Sequence, residues 1–142
     1  MLSGLNDGVI DIVATDHAPH TEADKNCDFK DAAFGISGLE TALGSLGNLV
    51  FQSDLSLNTL IEVLTVGPAR VLGYEKLGTL EVGAPADICI FDLHKEWVVN
   101  PEEFASKGKN TPLAGKTLKG KVMATFYMGS PVYLDELLKI TA

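Results

Sequence analysis

The chain has 142 residues, enough for one domain or parts of two, but too few for a complete (β/α)8 barrel of about 250 residues. Its content of 46% hydrophobic and 21% charged residues is typical of globular proteins, and its net charge of −8 argues against nucleic acid as a partner. No apolar run approaches the ~20 residues that span a bilayer, and the first seven residues lack the features of a signal peptide. We therefore expect a soluble, cytoplasmic protein without membrane contact, in which both cysteines are free thiols.

The first half of the sequence predicts one buried strand followed by two helices. Residues 9–15 form a short apolar, β-branched run, which is typical of a strand buried on both faces. A turn-rich segment follows at 16–31, and then Ser37 and Glu40 have the spacing of a capping box that opens a helix. The apolar face of this first helix would consist of Leu39, Leu43, Leu46 and Leu49.

The second helix is predicted to begin near Ser56. Gly67-Pro68 should end it, and Pro68 should open a short helical turn at 69–72 that Gly73 closes. The apolar face of this second helix would consist of Leu57, Leu60, Ile61 and Leu64.

The second half of the sequence predicts β structure with short connections. Its strands alternate with turn residues, and an Asn-Pro-Glu-Glu run has the cap and acidic first turn of a brief helix. The predicted elements are a turn at 83–85, strands at 86–91 and 97–99, a short helix at 100–103, a solvated loop at 107–110, and a hairpin of 121–128 with 132–134 joined at 129–131.

These elements together predict an α/β chain that contains parts of two domains, residues 1–73 and residues 74–142. A strand that feeds helices is typical of the end of an α/β unit, and the strands after it are typical of a separate β layer. One buried strand cannot form a sheet alone. Its neighbours would have to come from outside this chain or from another copy of it.

The residues with chemical potential lie directly after the predicted strand. Asp16, His17 and His20 occupy one short segment, at the end of a strand where α/β folds place their active sites. A carboxylate and two imidazoles can bind a metal or move protons, but the same residues also suit a plain polar turn. Cys27 is a weak candidate for a further ligand, because no paired Cys/His spacing supports it.

Several longer motifs decide between these two interpretations. Ala-Thr-Asp-His-Ala-Pro-His at 14–20 and Ala-Phe-Gly-Ile-Ser-Gly-Leu-Glu-Thr-Ala-Leu at 33–43 resemble the carboxy-terminal part of bacterial class I dihydroorotases. The resemblance continues to the end of the chain, through residues 67–70, 78–80, 83–87 and 110–115. Some of these later motifs are shared across the wider amidohydrolase superfamily.

The resemblance implies a fold and a role for each matching residue. The chain would be the last strand and following helices of a (β/α)8 barrel, plus part of a small composite β-sandwich. Asp16 would be a zinc ligand and the catalytic proton relay, and His20 would bind the substrate. Phe34 and Gly35 would contact the pyrimidine ring through backbone groups. His17 would only shape the loop, and Arg70 would be structural.

The chain also departs from the pattern of this family. The His-x-His pair, the carboxylated lysine and two further histidines that hold the metals are not found, and the remaining histidine is His94. The resemblance therefore implies a fragment of a zinc enzyme that interconverts N-carbamoyl-L-aspartate and (S)-dihydroorotate, as a homo-oligomer. Two alternatives stay open: a non-catalytic scaffold subunit for aspartate transcarbamoylase, and a hydantoinase or allantoinase.

Overall fold

The computed structural model describes residues 1–139 as a set of short helices followed by an antiparallel sheet. The sheet has three strands in the order β1-β2-β3. The elements are α1 (Leu2–Asn6), α2 (Glu22–Lys25), α3 (Ala42–Phe51), α4 (Leu57–Leu64), α5 (Val66–Val71), β1 (Ile88–Val98), a 3-10 turn (Pro101–Glu103), β2 (Thr117–Tyr127), β3 (Ser130–Leu134) and α6 (Glu136–Lys139). None of the helices within this described part is long and apolar enough to cross a membrane.

The helical half has its own apolar core, centred on α4. Leu60 and Val63 of α4 are buried together with Leu5 and Leu55. The predicted start of α4 is confirmed, because the Ser56 side chain accepts a hydrogen bond from the Thr59 amide at 3.0 Å. Three of the predicted leucines of α3 pack against this core, namely Leu43, Leu46 and Leu49. Leu39 is 60% exposed and precedes the helix, so that part of the prediction was wrong.

The predicted buried strand at 9–15 is absent: this segment is irregular, and Val9 is 76% exposed. The Val9 and Ile10 amides donate to the Gly4 carbonyl at 2.8 and 2.9 Å, and the Val13 amide donates to the Val63 carbonyl at 3.1 Å. Just after the segment, an isolated parallel bridge joins His17 to Ile36. The physical reason is a lack of partners, since within residues 1–139 no strand lies beside it to form a ladder.

The predicted capping box was also wrong. Ser37 Oγ donates to the Gly108 carbonyl at 2.8 Å, and Glu40 Oε1 accepts from the Ser106 amide at 3.0 Å. Both side chains thus bind the loop before β2 instead of a helix end, and α3 begins later, after Thr41. A capping motif specifies a helix start only when no tertiary partner competes for its side chains.

The break between α4 and α5 lies at Thr65, two residues before the predicted position. Thr65 leaves the helical region with φ −128° and ψ −88°, and its hydroxyl donates to the Ile61 carbonyl at 2.6 Å. Gly67 and Pro68 lie inside the first turn of α5, where the proline needs no amide hydrogen. Gly67 is required there because a Cβ would overlap the Asp11 carbonyl oxygen.

The β half is more continuous than the sequence suggested. The two predicted strands at 86–91 and 97–99 are one strand, β1, with a shift of register between Asp92 and Glu96. The predicted short helix after Asn100 is a single 3-10 turn, and the predicted cap is confirmed, because the Asn100 side chain accepts from the Glu102 amide. The hairpin is confirmed, but its turn is Met128-Gly129, both with positive φ, as a two-residue type I′ turn requires.

The two halves meet where α3 lies directly on β2. A Cβ at Gly47 would come within 2.9 Å of the Lys119 carbonyl oxygen, so only a glycine permits this approach. Nearby, Asn48 Oδ1 accepts a hydrogen bond from the Lys119 amide at 3.3 Å. The contact brings the β half, including the loop before β2, against the segment that contains Asp16 and His20.

Candidate functional site

The candidate site consists of two segments that run side by side, residues 16–20 and residues 34–38. The parallel bridge between His17 and Ile36 aligns them, and the Ala18 amide donates to the Ile36 carbonyl at 2.9 Å. Two motifs that are separate in sequence therefore form one surface. Asp16 does not project from a strand end as predicted, because no strand precedes it.

His17 holds this pair of segments together. Its Nδ1 accepts hydrogen bonds from the Gly38 and Leu39 amides, each at 3.2 Å. An Nδ1 that accepts has no proton, so the proton of the neutral ring lies on Nε2. The expectation that His17 shapes the loop agrees with this geometry.

His20 is joined to Phe34 by a short hydrogen bond. Its Nε2 lies 2.7 Å from the Phe34 carbonyl oxygen. A carbonyl can only accept, so Nε2 carries a proton and donates it. Within residues 1–139 the Nδ1 atom of His20 has no recorded hydrogen-bond partner, which leaves it as the ring atom that can meet a ligand.

The backbone at Phe34 and Gly35 presents donors. The Phe34 carbonyl is engaged by His20, and the Gly35 carbonyl accepts from Lys25 Nζ at 3.1 Å and from Asn110 Nδ2 at 3.2 Å. Among the described residues neither amide hydrogen of the pair is donated. The Phe34 side chain is 91% exposed, so its ring forms no part of a core.

Asp16 stands apart from these contacts. It is exposed, its φ is +46°, and within the described chain its carboxylate makes no hydrogen bond or ion pair. A non-glycine residue in the left-handed region is strained, and such residues are concentrated at functional sites. Its carboxylate is available to a ligand or a proton.

The described residues do not form a zinc site by themselves. No group of three or more His, Cys, Asp or Glu side chains within residues 1–139 is arranged to hold a metal ion. A catalytic zinc takes about three protein ligands, and Asp16 supplies one. Cys27 is exposed, with its thiol 3.6 Å from the Asp24 carbonyl oxygen.

Sequence reasoning missed Asn110, which was assigned to a solvated loop. That assignment was wrong: Gly108 is buried, and a Cβ there would lie 2.6 Å from Pro19 Cβ. The Asn110 side chain contacts both segments of the site, accepting from the His20 amide at 2.9 Å and donating to the Gly35 carbonyl at 3.2 Å. The available signal was the motif at 110–113, but a contact over 90 residues leaves no local pattern.

A cationic cleft of about 530 Å³ opens beside His20. Lys25, Lys107 and Lys109 line it, facing Glu22 and Glu102. Three lysines against two glutamates give the lining a small positive excess in a chain with a net charge of −8, and this excess favours an anionic ligand there.

Comparisons with known proteins agree with the motifs. The chain is 50% identical over 135 residues to a dihydroorotase of Aquifex aeolicus (strain VF5), covering 95% of this chain and 32% of that protein. It is 49% identical over 133 residues to a dihydroorotase of Syntrophus aciditrophicus (strain SB), covering 94% of this chain and 31% of that protein. The chain thus spans about a third of the length of these curated relatives.

Solved structures and a family model support the same conclusion. An L-hydantoinase from Arthrobacter aurescens matches with a TM-score of 0.86 and 36% identity, covering 94% of this chain and 31% of that one. A dihydropyrimidinase from Brevibacillus agri NCHU1002 matches with a TM-score of 0.87 and 25% identity, covering 95% and 31%. The predicted resemblance and the α/β fold class are confirmed. Because the amidohydrolase family model matches residues 1–132, the chain belongs to the amidohydrolase family.

Proposed function

We propose that the protein carrying this chain is a dihydroorotase, which interconverts N-carbamoyl-L-aspartate and (S)-dihydroorotate in de novo pyrimidine biosynthesis. Curated relatives with this name are 44–50% identical to the chain, which supports the proposal. The observation that carries it is the 2.7 Å hydrogen bond between His20 and Phe34. That bond brings the three proposed substrate residues, His20, Phe34 and Gly35, into one place.

The groups left free at this place suit the substrate. Dihydroorotate has a carboxylate and ring carbonyls, all of which accept hydrogen bonds. The amide hydrogens of Phe34 and Gly35 are donors, and His20 Nδ1 becomes a donor when the ring is protonated. A protonated His20 beside the lysines of the cleft would offset the charge of the substrate carboxylate.

We propose Asp16 as the general acid–base residue. Opening a cyclic amide adds a water oxygen to the carbonyl carbon, breaks the C–N bond and places a proton on the leaving nitrogen. A carboxylate can take the proton from the attacking water and deliver it to that nitrogen. Asp16 is suited to this because, among the described residues, no partner holds its carboxylate.

The zinc that the resemblance implies remains a proposal for the whole protein. Asp16 would be one of its ligands, and the other ligands would have to lie outside the described residues. No step of the reaction is therefore assigned to zinc here. The division into 1–73 as the end of a barrel and 74–142 as part of a composite β domain is likewise proposed.

A hydantoinase or allantoinase is the second candidate, favoured by the match to the Arthrobacter aurescens L-hydantoinase. Hydantoin and dihydrouracil lack the carboxylate of dihydroorotate. The cationic cleft beside His20 therefore favours dihydroorotate.

A scaffold subunit for aspartate transcarbamoylase is less well supported, because Asp16 and His20 are both present. We further propose a cytoplasmic homo-oligomer, as the resemblance to dihydroorotases implies.

The test is a comparison of substrates on the natural protein that carries this sequence. Dihydroorotate should be turned over with a higher kcat/KM than dihydrouracil, which differs from it by the carboxylate alone, and than hydantoin. His20→Ala should reduce the preference for dihydroorotate without lowering activity on dihydrouracil. Preferred turnover of hydantoin would establish the second candidate. No turnover of any of these, together with co-purification of aspartate transcarbamoylase, would establish the scaffold.

A further inference from the structure

The side chain of Asn110 uses its whole hydrogen-bonding capacity at the candidate site. Its Oδ1 accepts from the His20 amide at 2.9 Å and from Ser37 Oγ at 3.1 Å. Its Nδ2 donates to the Ala18 carbonyl and to the Gly35 carbonyl, each at 3.2 Å. An asparagine side chain offers two donors and two acceptor positions. Both donors and one acceptor position are used outright, and the second acceptor position shares the Ser37 hydroxyl hydrogen with the Gly108 carbonyl.

Asn110 comes from the β half and is itself held in place. It lies in the loop between the 3-10 turn and β2, and its carbonyl accepts from the Ser37 amide at 2.8 Å. Next to it, Gly108 lies so close to Pro19 that only a glycine fits. The loop is therefore seated on the site by backbone contacts, and the Asn110 side chain is fixed relative to both segments.

We propose that Asn110 is the positioning residue that sets the spacing between His20 and the Phe34–Gly35 backbone, and so determines affinity for the anionic substrate. This inference rests on the proposed function of those three residues. Asn110 reaches the backbone of His20 through one atom and the backbone of Gly35 through another. It holds the two substrate-binding segments at one separation, and it also lines the cleft beside His20.

The positioning role requires the side-chain amide of Asn110, because it needs a donor and an acceptor in one group. Asn110→Asp keeps the shape and the acceptor, but it places an oxygen opposite the carbonyl oxygens of Ala18 and Gly35 in place of a donor. Two attractive contacts become repulsive, while the contacts to His20 and Ser37 are retained. The substitution should therefore push the two segments apart. Its new negative charge also lies in the lining of the cleft and would repel an anion there, an effect that amide hydrogen exchange measured without substrate does not contain.

The main test is the kinetics of variants of the natural protein with dihydroorotate. Asn110→Asp should raise KM on the order of 10- to 100-fold with kcat largely retained, since small displacements of binding groups have effects of this size. Ser37→Ala removes one contact to Asn110 and the bond to the Gly108 carbonyl of the same loop, but it leaves the other three contacts of Asn110 in place and should raise KM less. The matched control is Asn48→Ala, which removes the bond to the Lys119 amide, a bridge between the same halves away from the site. It should leave KM unchanged.

Two results would overturn the inference. One is an unchanged KM in folded Asn110→Asp, and the other is a fall in kcat alone. If Asn110→Asp does not fold, the milder Ser37→Ala decides: an unchanged KM there overturns the inference, and a raised KM supports it.

A readout without catalysis separates this inference from the proposed function. If the wild-type protein does not turn over dihydroorotate, the proposed function fails, but amide hydrogen exchange still tests the positioning. The Ala18 and His20 amides are protected by the Ile36 carbonyl and by Asn110 Oδ1. Asn110→Asp should accelerate exchange at Ala18 relative to Asn48→Ala. Equal exchange at Ala18 in the two variants would show that Asn110 does not hold the segments.

Discussion

The methyl group of Ala18 lies directly against the Cα atom of Gly35, and a Cβ at residue 35 would overlap it. Gly35 also has φ +107°, a conformation that side chains rarely adopt. Both features follow from the close approach of the two site segments. The glycine thus brings the Phe34–Gly35 backbone within reach of His20, whose Nε2 is 3.7 Å from that Cβ position.

Gly35→Ala should therefore destabilise the protein more than an alanine at another glycine of positive φ. Gly83 is the matched control, because it has φ +92° with nothing within 4 Å of a Cβ. Gly83→Ala should lower the free energy of unfolding by about 1–2 kcal/mol through backbone strain. Gly35→Ala should lower it by about 1–3 kcal/mol more, because its methyl group overpacks the contact with Ala18. Urea unfolding of the two variants measures the difference. Equal losses would mean that the contact with Ala18 relaxes without cost.

Asp16→Asn and His20→Ala should separate two roles in the natural protein. Asp16→Asn removes the carboxylate that we propose as the proton carrier, so we expect turnover to fall by about 10²–10⁴-fold. His20→Ala should act chiefly on KM, with metal content unchanged. Steady-state kinetics and metal analysis of both variants check this. An equal loss of metal in both would show that the division of roles is wrong.

Helix starts and hairpins with strong local signals could be predicted from the sequence. Ser56 caps α4 and Asn100 caps the 3-10 turn because their partners lie within three residues. Ser37 and Glu40 have an equally good local pattern, but Gly108 and Ser106, about 70 residues away, bind their side chains. Propensity and spacing describe only neighbours along the chain, so this competition could not be predicted.

In the candidate site, too, the residues within sequence motifs could be predicted and the residue held by long-range contacts could not. The motifs identified Asp16, His20, Phe34 and Gly35, and the structure brings the last three into direct contact. It leaves the Asp16 carboxylate without a partner among the described residues. Asn110 was missed because a polar residue in a Lys-Gly-Lys-Asn stretch is typical of a solvated loop. Its function in the site depends on backbone groups that carry no sequence signal.

Because of the ion pair between Lys121 and Asp135, the stability of the fold should decrease as the pH rises in the alkaline range. Lys121 Nζ lies 2.9 Å from Asp135 Oδ2, and Asp135 is buried and also paired with Lys95 at 3.1 Å. The hydrogen bond to Asp135 raises the pKa of Lys121 above its ordinary 10.5. The folded state thus holds this proton more tightly than the unfolded state. The contribution is complete below about pH 10.5 and is lost as pH rises above it.

The measurement is the urea midpoint at pH 7 and at pH 11. Lys121→Met should lower the midpoint at pH 7 and reduce the further loss between the two pH values. Lys116→Met is the control, because Lys116 is exposed and forms no ion pair within the described residues. The urea midpoint of Lys116→Met should fall between pH 7 and pH 11 by as much as that of the wild-type protein. The same pH dependence in both variants would contradict the assignment to Lys121.

The 142-residue chain purified alone should bind no stoichiometric zinc and have no dihydroorotase activity. Residues 1–139 contain no group of three possible ligands, and the two histidines near Asp16 are already engaged. His17 Nδ1 accepts from two backbone amides, and His20 Nε2 donates to the Phe34 carbonyl. A catalytic zinc needs about three protein ligands. His17 could serve only by giving up its two backbone bonds, so Asp16 and the free Nδ1 atom of His20 are too few.

Metal analysis after dialysis, with a ring-opening assay on dihydroorotate and added zinc, checks this expectation. The Asp16→Asn chain is the matched control, and it should be indistinguishable from the wild-type chain in both measurements. One zinc per wild-type chain with measurable turnover, both lost in Asp16→Asn, would contradict the prediction. Because one chain offers too few ligands near Asp16, that result would require a site assembled between copies of the chain.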